Sequence, residues 1–453
     1  MNFNLDLTRL ASASILGLLS FNHASAEQPL LEFYGLLDVA MGHQSKGLPP
    51  DANNTASIVP AVYANASNPR VASSTGLWNG GISQNRLGLK GGLQFNADWH
   101  AGYLVETGLS PIKGKLINNA QGLADNSGSA SSAAYQTAST NGSQNGQLFN
   151  REAYFNLGRS GWGDLRLGRN TTLIHDSAQS FDPVAASQIF GYLTASSGFG
   201  GGSGISETTR LNQSVKYLNQ WQGLKAGLFY AKGNQSGLAS TGQAHGWSVG
   251  QEWGDLKLQY ARTTQTQAIK ESVSAVPGDL SATLYDSKGW LWAASYAIAP
   301  TTHFKTGSSH YALSAPQSAS GAVGLSAMNG HMLSAAPTLY KGSDIMARLD
   351  WLGLSQQIHS QWTVYGALYR ANFAGYTSTT GSTYQSTPGH ADWISLLVDH
   401  QVSSDSDVYL GWTHMKLSNA TAQSAIVGAS KAGSSYSPVA GNSLLALGYR
   451  IKF

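Results

Sequence analysis

The sequence predicts an all-β fold, a 16-stranded antiparallel transmembrane β-barrel, and three observations carry that prediction. Apolar and polar residues alternate with period two in segment after segment. Short and long connections between those segments alternate along the chain. The composition is poor in charge and rich in glycine and aromatics: 11% charged residues, with 52 Gly, 12 Trp, 20 Tyr and 13 Phe among 453 residues. A soluble chain of this size carries about 25% charged residues.

The alternation is clearest at the C-terminus. Leu445, Leu447, Tyr449, Ile451 and Phe453 share one face, and Leu444, Ala446, Gly448, Arg450 and Lys452 share the other. Near the start, Phe33, Gly35, Leu37, Val39 and Met41 alternate with Glu32, Tyr34 and Asp38. Leu87 and Leu89 alternate with Arg86 and Lys90, Tyr103 and Val105 with His100 and Glu106, and Leu165 and Leu167 with Asp164 and Arg166. Leu211, Val215 and Tyr217 alternate with Arg210, Ser214 and Lys216. Trp290, Trp292 and Tyr296 form an outer stripe, as do Ile345, Ala347, Leu349 and Trp351 opposite Asp344, Arg348 and Asp350. The predicted strands lie near 31–43, 82–95, 98–109, 148–158, 162–170, 208–219, 222–233, 243–253, 255–264, 288–298, 301–312, 342–354, 361–371, 391–402, 407–417 and 443–453.

Alternation alone also fits a soluble sandwich, with its apolar faces inward. The connections decide between the two. Tight turns fall at Phe95-Asn96-Ala97, Arg159-Ser160-Gly161, Trp253-Gly254, Ala299-Pro300 and Ser403-Ser404-Asp405, and long Ser-, Ala-, Gly- and Asn-rich loops lie between them. A membrane barrel puts short turns on one side and long loops on the other; a sandwich has no reason to keep that order. Low-complexity stretches such as Asn126–Gly146 and Ser314–Ser326 read as solvated loop.

Residues 1–26 read as a secretory signal: Arg9, an apolar run Leu10–Phe21 too short to span a bilayer, then Ala24-Ser25-Ala26. The mature barrel domain is then 27–453. Absence of cysteine excludes disulfides and thiolate sites, and a net charge of +3 without a basic run argues against nucleic-acid binding. The 12 histidines include no His-Glu-x-x-His spacing, and the glycine run Gly198–Gly204 lacks the Lys-Ser/Thr of a phosphate loop. No enzyme, cofactor or metal is expected.

Several segments resemble a known family. Leu31-Glu32-Phe33-Tyr34-Gly35-Leu36-Leu37-Asp38 resembles the opening strand of the Gram-negative trimeric porins, especially their β-proteobacterial branch. Asn85–Gly91, Phe149–Tyr154, Gly163–Arg169 and Arg210–Tyr217 resemble later strands of that family in the same order. Tyr449, Ile451 and Phe453 resemble its C-terminal signal for the barrel-assembly machinery. The resemblance implies a homotrimer in the outer membrane, in contact with lipid and lipopolysaccharide. It also implies short periplasmic turns, long external loops and an inward-folded constriction loop at about 170–207.

The family's wall arginines carry over to Arg86, Arg151 and Arg210. The alternation places Arg86 and Arg210 on the lumen side; Arg151 shares parity with Ala153, Phe155 and Leu157. Lys90, Arg166 and Lys216 face inward and would extend a positive lining. Candidate carboxylates are Asp176, Asp182, Glu207 and Glu106, with Asp176 and Asp182 either lining the pore or fastening the loop. The expected loop tip, Pro183–Gln188, holds no acid, so the expected function is passive diffusion of small hydrophilic solutes with a weak preference for anions. Arg169 has outward parity and is expected to fold back or to be covered by a neighbouring protomer. Two alternatives stand beside this reading: a substrate-specific channel using Tyr34, Tyr365 and Tyr409 as a stacking track, and a plugged barrel acting as an adhesin.

Overall fold

The computed structural model describes residues 30–45, 73–112, 114–117, 139–140, 148–192, 208–233, 242–274, 276–317, 327–328, 331–380, 383–385, 388–418 and 441–453. The expected signal segment, Glu207, Gly198–Gly204 and most of the two low-complexity stretches lie outside the described residues.

The described residues form a closed antiparallel barrel of 16 strands. They are β1 (Glu32–Gln44), β2 (Ser74–Asn79, resuming as Arg86–Gln94), β3 (Trp99–Ser110), β4 (Glu152–Arg159) and β5 (Gly163–Thr171). Helix α1 (Leu173–Phe181) follows. Then come β6 (Arg210–Trp221), β7 (Leu224–Ala231), β8 (Ala244–Trp253), β9 (Leu256–Val273), β10 (Leu280–Ala299) and β11 (Thr302–Ser314). The wall ends with β12 (Ile345–His359), β13 (Trp362–Phe373), β14 (Gly389–Gln401), β15 (Ser406–Ser418) and β16 (Gly441–Lys452).

Each strand pairs with its sequence neighbours, and β16 closes on β1 from Leu36↔Lys452 to Gln44↔Leu444. The seam ends in a reciprocal pair between Gly35 and Phe453, with N···O distances of 2.8 and 3.1 Å. Closure satisfies the backbone of every wall strand within the sheet, which hydrocarbon requires because it offers no hydrogen bonds. No helix among the described residues is long and apolar enough to cross a membrane; strands do the crossing. Phe33, Met41, Leu93, Phe155, Leu228, Leu368 and Leu447 stand exposed on the outer face. At the tight turns Gly223 and Gly254 take φ of +84° and +55°, a region open to glycine without strain.

Four departures from the sequence expectation bear on the lumen. Strand β2 is interrupted at 80–85, yet both pieces pair with β1. Strands β9 and β10 run on well past 264 and begin before 288, with an irregularity beside Gln267, whose φ is +51°. In β6 a bulge at Gln213 (φ +49°) turns Leu211 inward, where it is buried, so it does not join the outer face of Val215. In β12 the expected outer stripe is inverted: Ile345, Leu349 and Trp351 are buried inside, and Met346, Leu352 and Leu354 face out. The reason is the apolar content of the lumen on that side. Leu173, Ile174, Phe181, Ile189 and Phe190 of the chain after β5 pack there against Trp351, Tyr369, Trp393 and Tyr409 of the wall.

Candidate pore constriction

Thr172 starts the inward loop. Its side chain accepts from the N–H of His175 at 3.4 Å and caps α1. Leu173 and Ile174 then lie against wall glycines: a Cβ on Gly227 would sit 2.8 Å from Leu173, and one on Gly289 3.1 Å from Ile174. The wall is thinned where the helix approaches.

The helix ends in a fastening. Asp182 is fully buried; its carboxylate accepts from Tyr369 Oη at 2.5 Å, Tyr192 N at 2.9 Å and Val184 N at 3.2 Å. Lys305 Nζ donates to the carbonyls of Ser180 and Asp182 at 2.9 and 3.1 Å, and Trp351 Nε1 donates to that of Phe181 at 3.0 Å. Burial raises the Asp182 carboxyl pKa, and the Tyr369 hydroxyl and two backbone N–H groups oppose that rise.

Beyond the helix the chain turns through Ala185 and Ala186, both at φ +53°, and reaches the interruption in β2. Ser187 Oγ donates to the Gly81 carbonyl at 2.9 Å, Gln188 N to Ile82 O at 3.0 Å and Ile189 N to Gly81 O at 3.2 Å. The N–H groups of Gly81, Ile82 and Ser83 point the other way, onto the Asp38 carboxylate, at 3.1, 2.9 and 2.6 Å. Tyr409 Oη also donates to Asp38, at 2.5 Å. Asp38 therefore holds the broken strand open, and its freed carbonyls receive the loop.

The basic wall lies on β2 to β6. Arg86 Nε stands 3.2 Å from Glu106, Arg151 pairs with the same carboxylate and with Gln84, and Tyr34 Oη donates to Glu106 at 3.0 Å. Arg151 reaches the lumen despite its parity because β4 begins one residue later, at Glu152. Arg210 is buried within electrostatic range of Arg151, Glu152, Arg169 and Glu106. His175 of α1 feels the same charges: burial first, then Arg210, Arg151 and Lys216, hold its pKa well below 6.5.

The remaining candidates divide. Lys216, 1% exposed, binds Asp176 and donates to the Thr171 carbonyl and hydroxyl at 3.0 Å, so this pair ties α1 to the wall. Arg166 pairs with Asp164 at 3.0 Å over the Tyr154 ring, and Lys90 with Glu32 at 2.9 Å over Tyr34; neither contacts Glu106. Arg169 folds back onto the Asn150 carbonyl at 2.7 Å and Asn212 Oδ1 at 2.8 Å. Tyr409 is buried beneath the loop tip, which removes it from any stacking track.

Sequence reasoning missed Asp38, Lys305 and Arg450 as loop and lumen supports. Arg450 makes two contacts of 3.0 Å and one of 2.8 Å with Asp407, and donates to Ser83 Oγ at 2.9 Å. The available signal was parity: Asp38, Asp407 and Arg450 all occupy lumen positions near the seam.

A family model for Gram-negative porins matches residues 11–420. The chain belongs to the Gram-negative porin family. This porin is thus a multi-pass β-barrel of the outer membrane, in a family of channels. Among solved structures it is similar to an anion-selective porin from Comamonas acidovorans (18% identity, TM-score 0.58, covering 93% of this chain and 99% of that one). It is also similar to OmpT of Vibrio cholerae in a trimer form (11% identity, TM-score 0.52, covering 94% and 100%). At these identities the likeness shows the fold alone. A sequence comparison with curated proteins finds no match.

Proposed function

We propose that this porin is a passive diffusion channel for small hydrophilic solutes, weakly selective for anions and assembled as a homotrimer. One observation carries the selectivity. Arg86, Arg151 and Arg210 gather on the wall around Glu106 and Glu152, while the loop's own Asp176 and Asp182 are engaged by Lys216 and Tyr369. The tip Pro183–Gln188 brings no acid to face them. Cations clustered in a narrow, partly desolvated passage focus counter-ions and repel ions of their own sign. The relative from Comamonas is described as anion-selective, which agrees with this reading.

For the trimer, the relative from Vibrio is described in a trimer form, and β16 with β1–β5 presents exposed Phe33, Met41, Leu77, Phe155, Leu167 and Leu447. In this reading residues 1–26 are removed on export. Tyr449, Ile451 and Phe453, at the periplasmic end of the seam, are what the assembly machinery reads.

The test is single-channel recording in a planar bilayer under a KCl gradient. Conductance steps in threes with a reversal potential toward chloride are expected. Potassium preference would overturn the charge argument. Silence from folded, heat-modifiable protein would overturn the open channel.

A further inference from the structure

On the periplasmic side of the loop tip the lumen carries a second set of charges, apart from the wall around Glu106. Phe190 of the loop lies against Gly411, which pairs with Leu397. Asp399 stands two residues nearer the periplasmic turn, on the same inward face of β14 as buried Leu397. Asp407 of β15, with Arg450 and Lys452 of β16, shares that inward direction by register. Arg450 pairs with both Asp407 and Asp38, and Lys452 pairs with Leu36.

The four groups are not equivalent. Asp407 and Arg450 are buried and close on each other through contacts of 3.0, 3.0 and 2.8 Å, so that pair is internally neutral. Asp399 is left over. Its Oδ2 lies 3.7 Å from Arg450, beyond hydrogen-bond reach, and its Oδ1 accepts no hydrogen bond among the described residues. Its side chain is 17% exposed, beside Leu397 and Tyr409, which are fully buried. Lys452 is left over too. It is half-buried, and its ammonium has no hydrogen-bond or ion-pair partner among the described residues. Asp399 and Lys452 lie within electrostatic range of each other without meeting, and Arg86 is within range of Lys452.

An unmet carboxylate beside an unmet ammonium has a chemical complement. Chloride is drawn to Lys452 and repelled by Asp399, and potassium the reverse, so the pair adds little to the choice between simple ions. A small solute that carries an ammonium and a carboxylate gains at both ends, through two charge-assisted contacts. The apolar backing at Leu397 and Tyr409 and the narrowing above them concentrate the field.

We propose that Asp399 and Lys452 form a subsite for small zwitterions, amino acids being the simplest class. The solute's ammonium lies toward Asp399 and its carboxylate toward Lys452 and Arg86. The subsite presupposes the open channel proposed above, and it supplies a preference for which the arginine wall alone gives no reason.

The test is swelling of liposomes that contain the porin, in L-alanine or in lactamide. The two are isomers and differ in charge separation at equal composition. The ratio of the alanine rate to the lactamide rate should fall about twofold in D399N, about twofold in K452Q and about threefold in D399N/K452Q. In a KCl gradient D399N should shift the reversal potential toward chloride and K452Q toward potassium. In the double variant these shifts should oppose each other while the alanine ratio stays low, which separates recognition of a dipole from a change in net charge. Heat-modifiable mobility shows that each variant is a folded barrel, and K452Q, next to the last residue, serves if Asp399 variants do not fold. The wild-type ratio in folded D399N/K452Q would overturn the inference. So would a fall in K452Q with D399N at the wild-type ratio, which would assign Lys452 to carboxylates in general. Passage of neither solute through wild-type protein would overturn the channel reading and the subsite with it.

Discussion

Replacing Glu106 by Gln removes the carboxylate that Arg86, Arg151 and Tyr34 share. Two effects follow, and they are read separately. Glu106 is 8% exposed at its side chain, so the variant leaves two partly buried cations short of a partner, at a cost of about 3–5 kcal/mol. The unfolding midpoint should fall accordingly. The second effect is on permeation. An ion passing about 7 Å away in a water-like medium feels about 0.6 kcal/mol per unit charge, halved to about 0.3 by screening at 0.1 M salt. Chloride gains this and potassium loses it, so the permeability ratio should shift toward chloride by roughly threefold. Arg86→Gln should move the reversal potential by a similar amount in the opposite direction. Both are measured in one KCl gradient on protein whose heat-modifiable mobility shows a folded barrel. Two folded variants with the wild-type reversal potential, or with shifts of the same sign, would refute the assignment of this wall to the ion path.

Asp182→Ala should leave Tyr369 Oη and the N–H groups of Tyr192 and Val184 without their acceptor, at about 1–3 kcal/mol each. Single-channel traces should show larger open-state noise, and quiet traces would speak against this fastening. His175 carries a pH prediction. Its folded pKa lies below the unfolded 6.5, so the unfolded chain binds more protons and stability falls as pH drops below 6.5, by up to about 1.4 kcal/mol per unit. His175→Gln should lessen the loss of stability as pH falls below 6.5, read as the change in unfolding midpoint between pH 6.5 and 5. Gly411→Val would place a Cβ 2.4 Å from the ring of Phe190 and displace the loop, altering conductance. Gly366→Ala, which meets only Leu396 at 3.5 Å, should leave conductance unchanged.

The wall was legible because lipid enforces a period of two on one face of every strand. The prediction for β12 failed for the converse reason. A water-filled lumen would have kept Leu349 and Trp351 outside, but the docked loop makes that part of the lumen apolar, and hydrophobicity no longer names a face. Polar Ser/Thr/Gln stretches hid the outer ends of β9 and β10, where the strands stand in water and need no apolar stripe. Arg86 was readable from parity. Arg151 was not, because parity ends with the strand and β4 starts at Glu152. The fastening of Asp182 to Tyr369 joins residues 187 apart in sequence and leaves no local pattern.

The interruption in β2 also bears on the order of events during assembly. Its carbonyls can receive Gln188 and Ile189 only while Asp38 holds the opposing N–H groups, and Asp38 is completed by Tyr409, 371 residues further along the chain. The last hairpin must be in place before that receptor exists. Contacts so distant in sequence form late, because the intervening chain must first be brought together. The narrowing of the passage is thus a late product of closure: a sheet still open at its seam has nowhere to seat the loop, and the finished eyelet certifies a finished ring.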